Sequence, residues 1–319
     1  MTNSEDQITA WFAGQRKLPP KFFPIGIGDD MAEIRLAGGT SVLITTDMLL
    51  DGVHFDLRKA TLKQVGYKAM AVNLSDCAAM ATVPVAAVVS VALPKGYGAK
   101  ELKQLHAGIM EAADKYNCAL VGGDITVWKG RTPFVINVAM ISKPGRTKPL
   151  RRNGAKVGDV ICVTGTLGGS GFGRHLRFQP RVREALELAQ TVVIHSMMDI
   201  SDGLSTDLNR ICRQSGVGAL LFAEQIPISK DAKRNKDPLS AALNDGEDFE
   251  LLFTLSKKEY KKLRARWNKK PAVTAAGIIT DTKVMQIKTA AGRIRRFQPA
   301  GYDHLADPLR RVRFRNAAN

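Results

Sequence analysis

At 319 residues the chain is long enough for two domains, and an apolar share of 45% with a charged share of 24% excludes a disordered or fibrous protein. No apolar stretch is long enough to span a bilayer, and MTNSEDQITAWF lacks a basic segment followed by an apolar core, so a cytoplasmic location is expected. The formal net charge of +17 raises the possibility of nucleic-acid binding, but the excess sits late, in SKKEYKKLRARWNKK (256–270) and RRVRFRN (310–316).

In chain order, SEDQ (4–7) has the form of a capping box before Ile8, Trp11 and Phe12, so a short helix opens the chain. A proline-rich loop follows and reaches GIGDD (26–30). Strand patterns come at 41–46, 85–93, 118–122 and 133–141. Between them lie helical stretches at 61–82, opened by Thr61 with Gln64 as a second capping box, and at 100–116. Glycine and proline crowd residues 142–159, which sets the expected boundary between domains 1–147 and 148–319. The second half again alternates strands (DVICVTG, GALLFA, DFELLFTL, AVTAAGII) with helices at 204–215 and 256–268. In the latter helix Tyr260, Leu263 and Trp267 share a face, which leaves its lysines as a solvated face rather than a nucleic-acid surface. The expected class is α/β or α+β in both halves. Cys77, Cys118, Cys162 and Cys212 are widely spaced and form no Cys-x-x-Cys pair, which argues against zinc or a disulfide framework.

Acids recur where an apolar residue belongs. GIGDD places Asp29 and Asp30 behind glycines, and TTD places Thr45, Thr46 and Asp47 at the expected end of a core strand. VGGD places Asp124 at the end of another strand, MMDISDGL places Asp199 and Asp202 in a turn before a helix, and GED places Glu247 and Asp248 at a strand entry. Either Asp199 or Asp202 alone reads equally well as a helix cap, Asp51 and Asp56 read as solvated loop residues, and His54 alone reads as structural. Asp76 is the most informative, because it lies inside a helix on a small apolar face with no lysine or arginine three or four residues away. A cation would offset its charge. Hard oxygen ligands without a His/Cys cluster favour Mg²⁺, which ordinarily bridges carboxylates to phosphates, so the pattern points to phosphoryl transfer. There is no P-loop, protein-kinase set, His-Glu-x-x-His or Gly-x-Ser-x-Gly, and VTGTLGGSGFG (163–173) misses the dinucleotide-binding spacing.

GIGDDMAEI, TTDMLLDGVHF, GYKAMAVNLSDCAAMA, VGGDIT, RRNGAKVGDVICVTGTLG, MMDISDGLSTDL, GEDFELLF and GYDHL together resemble the thiamine-monophosphate kinase family, within the aminoimidazole-ribonucleotide-synthetase-like superfamily. The resemblance runs from about residue 25 to residue 305. It implies a two-domain α/β (α+β) fold, N-terminal sheets pairing across a homodimer axis, and a C-terminal mixed-sheet α/β domain. It further implies ATP-dependent conversion of thiamine monophosphate to thiamine diphosphate with several Mg²⁺ ions and no phosphoenzyme. By motif, Asp30, Thr45, Thr46, Asp47, Asp76, Asp124, Asp199 and Asp202 fall at metal-ligand positions. His106, Gly123, Asp124, Arg152 and Ser201 fall at ATP positions, and His54, Glu247 and Tyr302 at thiamine-phosphate positions.

The sequence departs from the family pattern at His106, where a tyrosine is usual, and at Gly169, where an aspartate is usual. Selenophosphate synthetase would carry a reactive cysteine near the N-terminus, whereas the first here is Cys77, and the hydrogenase-maturation member would end in cysteine rather than RNAAN. Aminoimidazole ribonucleotide synthetase remains an alternative within the superfamily. A basic nucleic-acid-binding protein on an inactive kinase scaffold is the alternative from another class.

Overall fold

A computed structural model of the chain describes residues 4–15, 17–130 and 132–305, so the basic segment 310–316 lies outside the described residues. Helix α1 (Glu5–Gln15) begins with the expected reciprocal cap, the Gln7 N–H donating to Ser4 Oγ and the Ser4 N–H to Gln7 Oε1. A first sheet then takes the order β1 (Ala32–Arg35), β2 (Ser41–Leu50), β5 (Val135–Pro144), β3 (Thr82–Leu93), β4 (Ala119–Val127). Only the β3–β4 pair is parallel.

One face of this sheet is covered by α2 (Leu62–Ala79), in which almost every residue is buried. A helix covered on every side belongs inside the molecule, and α2 lies between the first sheet, α3 (Ala99–Asp114), α4 (Val182–Thr191) and β7 (Ser196–Asp199). Its Thr61/Gln64 capping box forms as the sequence predicts. Backbone touches backbone where α2 crosses α3: a Cβ on Gly66 would stand 2.1 Å from the Leu105 carbonyl oxygen, and one on Gly108 1.8 Å from that of Lys63. The other sheet face carries Ile44, Met48, Val88 and Ile141, all exposed.

A second sheet has the order β12 (Ile294–Arg296), β11 (Met285–Lys288), β8 (Gly218–Phe222), β10 (Val273–Thr280), β6 (Val160–Thr164), β9 (Leu251–Leu255), β7. VICVT and LLFTL are buried throughout, as strands covered on both faces must be. One face packs towards the first unit through Cys162, Met197 and Phe253; the other meets α5 (Leu204–Ser215) and α6 (Pro238–Asn244) through Ile161, Met198 and Leu252. Helix α7 (Lys257–Arg266) buries Leu263, packs Tyr260 against the core with neighbouring Trp267, and leaves most of its lysines outward.

Two expectations change, and one stretch left open takes shape. β2 extends to Leu50 and β4 to Val127, so Asp47 and Asp124 lie within strands, not at their ends. Neither Asp199 nor Asp202 caps α5: Asp207 reaches back to accept from the backbone N–H groups of Asp202 and Gly203, at 3.0 and 3.1 Å. The glycine-rich stretch 163–173 runs into short 3₁₀ turns and closes on Asp248 through the Gly168 N–H and the Ser170 hydroxyl.

Candidate active site

In a strand, alternate side chains share a face, so Thr45 and Asp47 of β2 both point inward to α2. There the Thr45 hydroxyl donates to Asp76 Oδ2. Asp199, the last residue of β7, enters from the second sheet, and Asp30 from the GIGDD loop; oxygens of Asp30, Asp76 and Asp199 lie within 4.8 Å of one another. Asp47 Oδ2 is buried and has no hydrogen-bond partner among the described residues. Burial, reinforced by the Asp30 charge, pushes the Asp47 carboxyl up to about 6 and that of Asp199 to about 7. The Asp76 carboxyl is held well above the usual carboxylate range by burial and then by Asp47 and Asp199.

The cationic partner stands to one side. Arg152 forks onto Asp30 (Nη2–Oδ1 2.7 Å, Nε–Oδ2 3.2 Å) and also donates to the Gly28 carbonyl oxygen. Asp29 anchors this loop, accepting from the Arg152 backbone N–H at 2.8 Å and from Arg151 Nε at 3.0 Å. The Ser75 hydroxyl holds Asp199 Oδ2, while Asp202 is held by Arg210, which also grips Asp207 and Asp6. Asp30, Asp76 and Asp199, with Asp47 and its orphaned oxygen beside them, form an all-oxygen donor set that fits Mg²⁺.

A second group gathers around the opposite end of the same stretch of α2. Lys68 is wholly buried and donates to Glu247 Oε1 and to the His54 carbonyl oxygen. Glu247 has a left-handed backbone (φ 52°), and its N–H donates to the Ser201 carbonyl oxygen at 2.7 Å. His54 accepts from the Leu50 N–H on Nδ1, and burial followed by the Lys68 charge pushes it down to about 4, so it stays neutral. Its ring lies 5.2 Å from that of His304, which meets Tyr302 edge-on at 4.7 Å. The Tyr302 N–H donates to the Asp202 carbonyl oxygen at 2.9 Å, tying this group to the acidic one.

Not every expected residue joins these two groups. The Thr46 hydroxyl points to the opposite sheet face, within reach of Asn137 Oδ1 and the Val138 carbonyl oxygen. Pairing puts Asp124 in the row of Ser90, Asn137 and Met48, on that same outer face and exposed. Gly123 lies in the row of Asp47, where a Cβ would stand 2.0 Å from the Val89 carbonyl oxygen. His106 is exposed on α3.

The N-terminal domain model of AIR synthase related proteins matches residues 28–143, and the C-terminal domain model matches residues 156–289. A Rhodopirellula baltica protein named thiamine-monophosphate kinase is 38% identical over 313 residues, covering 94% of this chain and 97% of that relative. The chain belongs to the thiamine-monophosphate kinase family. Among solved structures, one described as AaThiL complexed with AMPPCP and TMP is 30% identical, with a TM-score of 0.78 over 94% of this chain and 97% of that one. The thiamine-monophosphate kinase from Stenotrophomonas maltophilia K279a is also 30% identical, with a TM-score of 0.71 over 88% and 94%.

For a member of the thiamine-monophosphate kinase family, the residues that sequence reasoning passed over are Lys68, Ser75, Asp207 and Arg210. Lys68 did leave a signal: it is a lysine inside the apolar run VGYKAMAV, eight residues before Asp76. Arg210 left none, because its partners Asp6, Asp202 and Asp207 suffice only once α1 and α5 are folded together.

Proposed function

We propose that the chain transfers the γ-phosphoryl group of ATP directly to thiamine monophosphate, giving thiamine diphosphate and ADP. The observation that carries this reading is the pairing of an acidic cluster, only partly balanced by Arg152, with a lysine-braced aromatic and carboxylate group along one helix. Asp30, Asp47, Asp76 and Asp199 would hold Mg²⁺, with Asp202 beside them. When bound, Mg²⁺ supplies charge neutralisation for the phosphates. Arg152, now forked onto Asp30, is placed to turn onto a phosphate oxygen, and Ser201, between Asp199 and Asp202 in the chain, would add a polar contact there. His54 as a neutral ring, Tyr302 as an aromatic face and the Glu247 carboxylate would orient the acceptor's cationic ring system. An oxygen of the acceptor's own phosphate attacks the γ-phosphorus and ADP departs, so no protein nucleophile is needed. A coupled assay with ATP, Mg²⁺ and thiamine monophosphate is expected to yield thiamine diphosphate and ADP in equal amounts. No turnover there, with consumption of formylglycinamidine ribonucleotide instead, would reassign the chain within its superfamily.

We also read the chain as two units parted at residues 147/148, between β5 and β6, and as a homodimer formed through the first sheet. Ile44, Met48, Val88 and Ile141 make one uncovered apolar face there, a liability for an isolated protomer. Thr46 and Asp124 border that face, so their assigned roles require a ligand or partner on that side. Met48→Glu is expected to shift the protein from dimer to monomer in sedimentation velocity; an unchanged dimer would place the interface elsewhere. The four free, buried cysteines accord with a reducing cytoplasm.

A further inference from the structure

Lys68 is among the largest side chains of the described residues with no exposure at all. A lysine so buried must be compensated, and its ammonium has two distant acceptors: Glu247, 179 residues away in the second unit, and the carbonyl oxygen of His54 at 2.6 Å in the loop after β2. Both residues belong to the acceptor pocket proposed above. Glu247 is a non-glycine residue at φ 52°, a backbone conformation that neighbours must hold in place. Its N–H bond to the Ser201 carbonyl fixes the main chain, and Lys68 fixes the carboxylate. With Oε1 held by the ammonium, Oε2 has no hydrogen bond among the described residues, and the carboxylate's charge is partly balanced before any ligand arrives.

We propose that Lys68 is a positioning residue for acceptor recognition: it clamps Glu247 of the second unit and the His54 loop of the first into one pocket, and so sets acceptor affinity without itself touching the phosphoryl group. The inference rests on the reading of Glu247 as an acceptor-binding residue. A lysine that served only folding would, when replaced, lower the active fraction and leave both Michaelis constants alone. A clamp acting through Glu247 instead raises the KM for one substrate only, and its effect vanishes once Glu247 has lost its charge.

The test compares Lys68→Met, Glu247→Gln and the double variant, with steady-state kinetics in thiamine monophosphate and, separately, in ATP. Lys68→Met is expected to raise the KM for thiamine monophosphate about tenfold while the KM for ATP stays within about twofold. The double variant, which removes both buried charges, is expected to match Glu247→Gln rather than multiply the two effects. An unchanged acceptor KM in Lys68→Met beside a raised one in Glu247→Gln would overturn the clamp and leave the pocket assignment standing. An unchanged acceptor KM in Glu247→Gln would overturn the pocket assignment itself. Should Lys68→Met fail to fold, the double variant against Glu247→Gln decides: equal acceptor KM values uphold the clamp, and a further rise overturns it.

Discussion

Replacing Asp76 with asparagine is expected to cut thiamine diphosphate formation by about 10³-fold while raising the melting temperature of the metal-free protein at pH 8. The loss of rate follows from removing a charge at the centre of the acidic cleft, where a preorganised electrostatic group contributes a factor of about 10²–10³ or more. The gain in stability follows from linkage. Asp47 and Asp199 titrate at about 6 and about 7 in the fold, raised by burial and neighbouring carboxylates, and Asp76 is raised as well. Groups raised in this way contribute stability that is complete below the ordinary carboxyl value of about 4 and is lost as pH climbs through the folded value. The metal-free protein is therefore under self-repulsion above about pH 7, and neutralising one member relieves it by a few degrees. Calorimetry at pH 5 and pH 8 checks the sign, since the gain is expected to shrink at the lower pH. Full turnover in the variant, or a large drop in melting temperature at pH 8, would contradict the assignment.

Removing divalent metal is the second large effect. Chelation is expected to abolish turnover, and Mg²⁺ to restore it and to stabilise the wild-type fold by about 2.7 kcal/mol at a hundredfold excess over its dissociation constant. Asp47→Asn should lose most of that stabilisation, because Asp47 Oδ2 is a buried carboxylate oxygen without a hydrogen-bond partner among the described residues. Thermal shift against Mg²⁺ concentration reads this independently of catalysis. A wild-type melting temperature indifferent to Mg²⁺ would sink the metal site.

The sequence was most legible where local chemistry decides the outcome. Helix α5 occupies the expected 204–215, and the Thr61/Gln64 cap starts α2 as predicted. It misled where tertiary context overrides local pattern. Thr45 and Asp47 looked like the end of a strand because polar residues do not belong on the inward face of a core strand, yet β2 continues, since between the core residues Leu43 and Leu49 that face meets a carboxylate. The opposite facing of Thr45 and Thr46 was available from the two-residue period of any strand. The Lys68–Glu247 pair was not, because nothing local joins residues 179 positions apart. Strand β7 was too short to announce itself, although its last residue is Asp199.

Helix α2 carries Asp76 at one working end and Lys68 at the other, eight residues apart, or about 12 Å of helix at the standard rise. Its contact with α3 through Gly66 and Gly108 leaves no slack for sliding. On the proposed assignment of the two groups, the helix would act as a fixed gauge for the length of the acceptor. Inserting one residue between the two would swing Asp76 by about 100° relative to Lys68, so this spacing is closed to insertions and deletions even where single substitutions are tolerated.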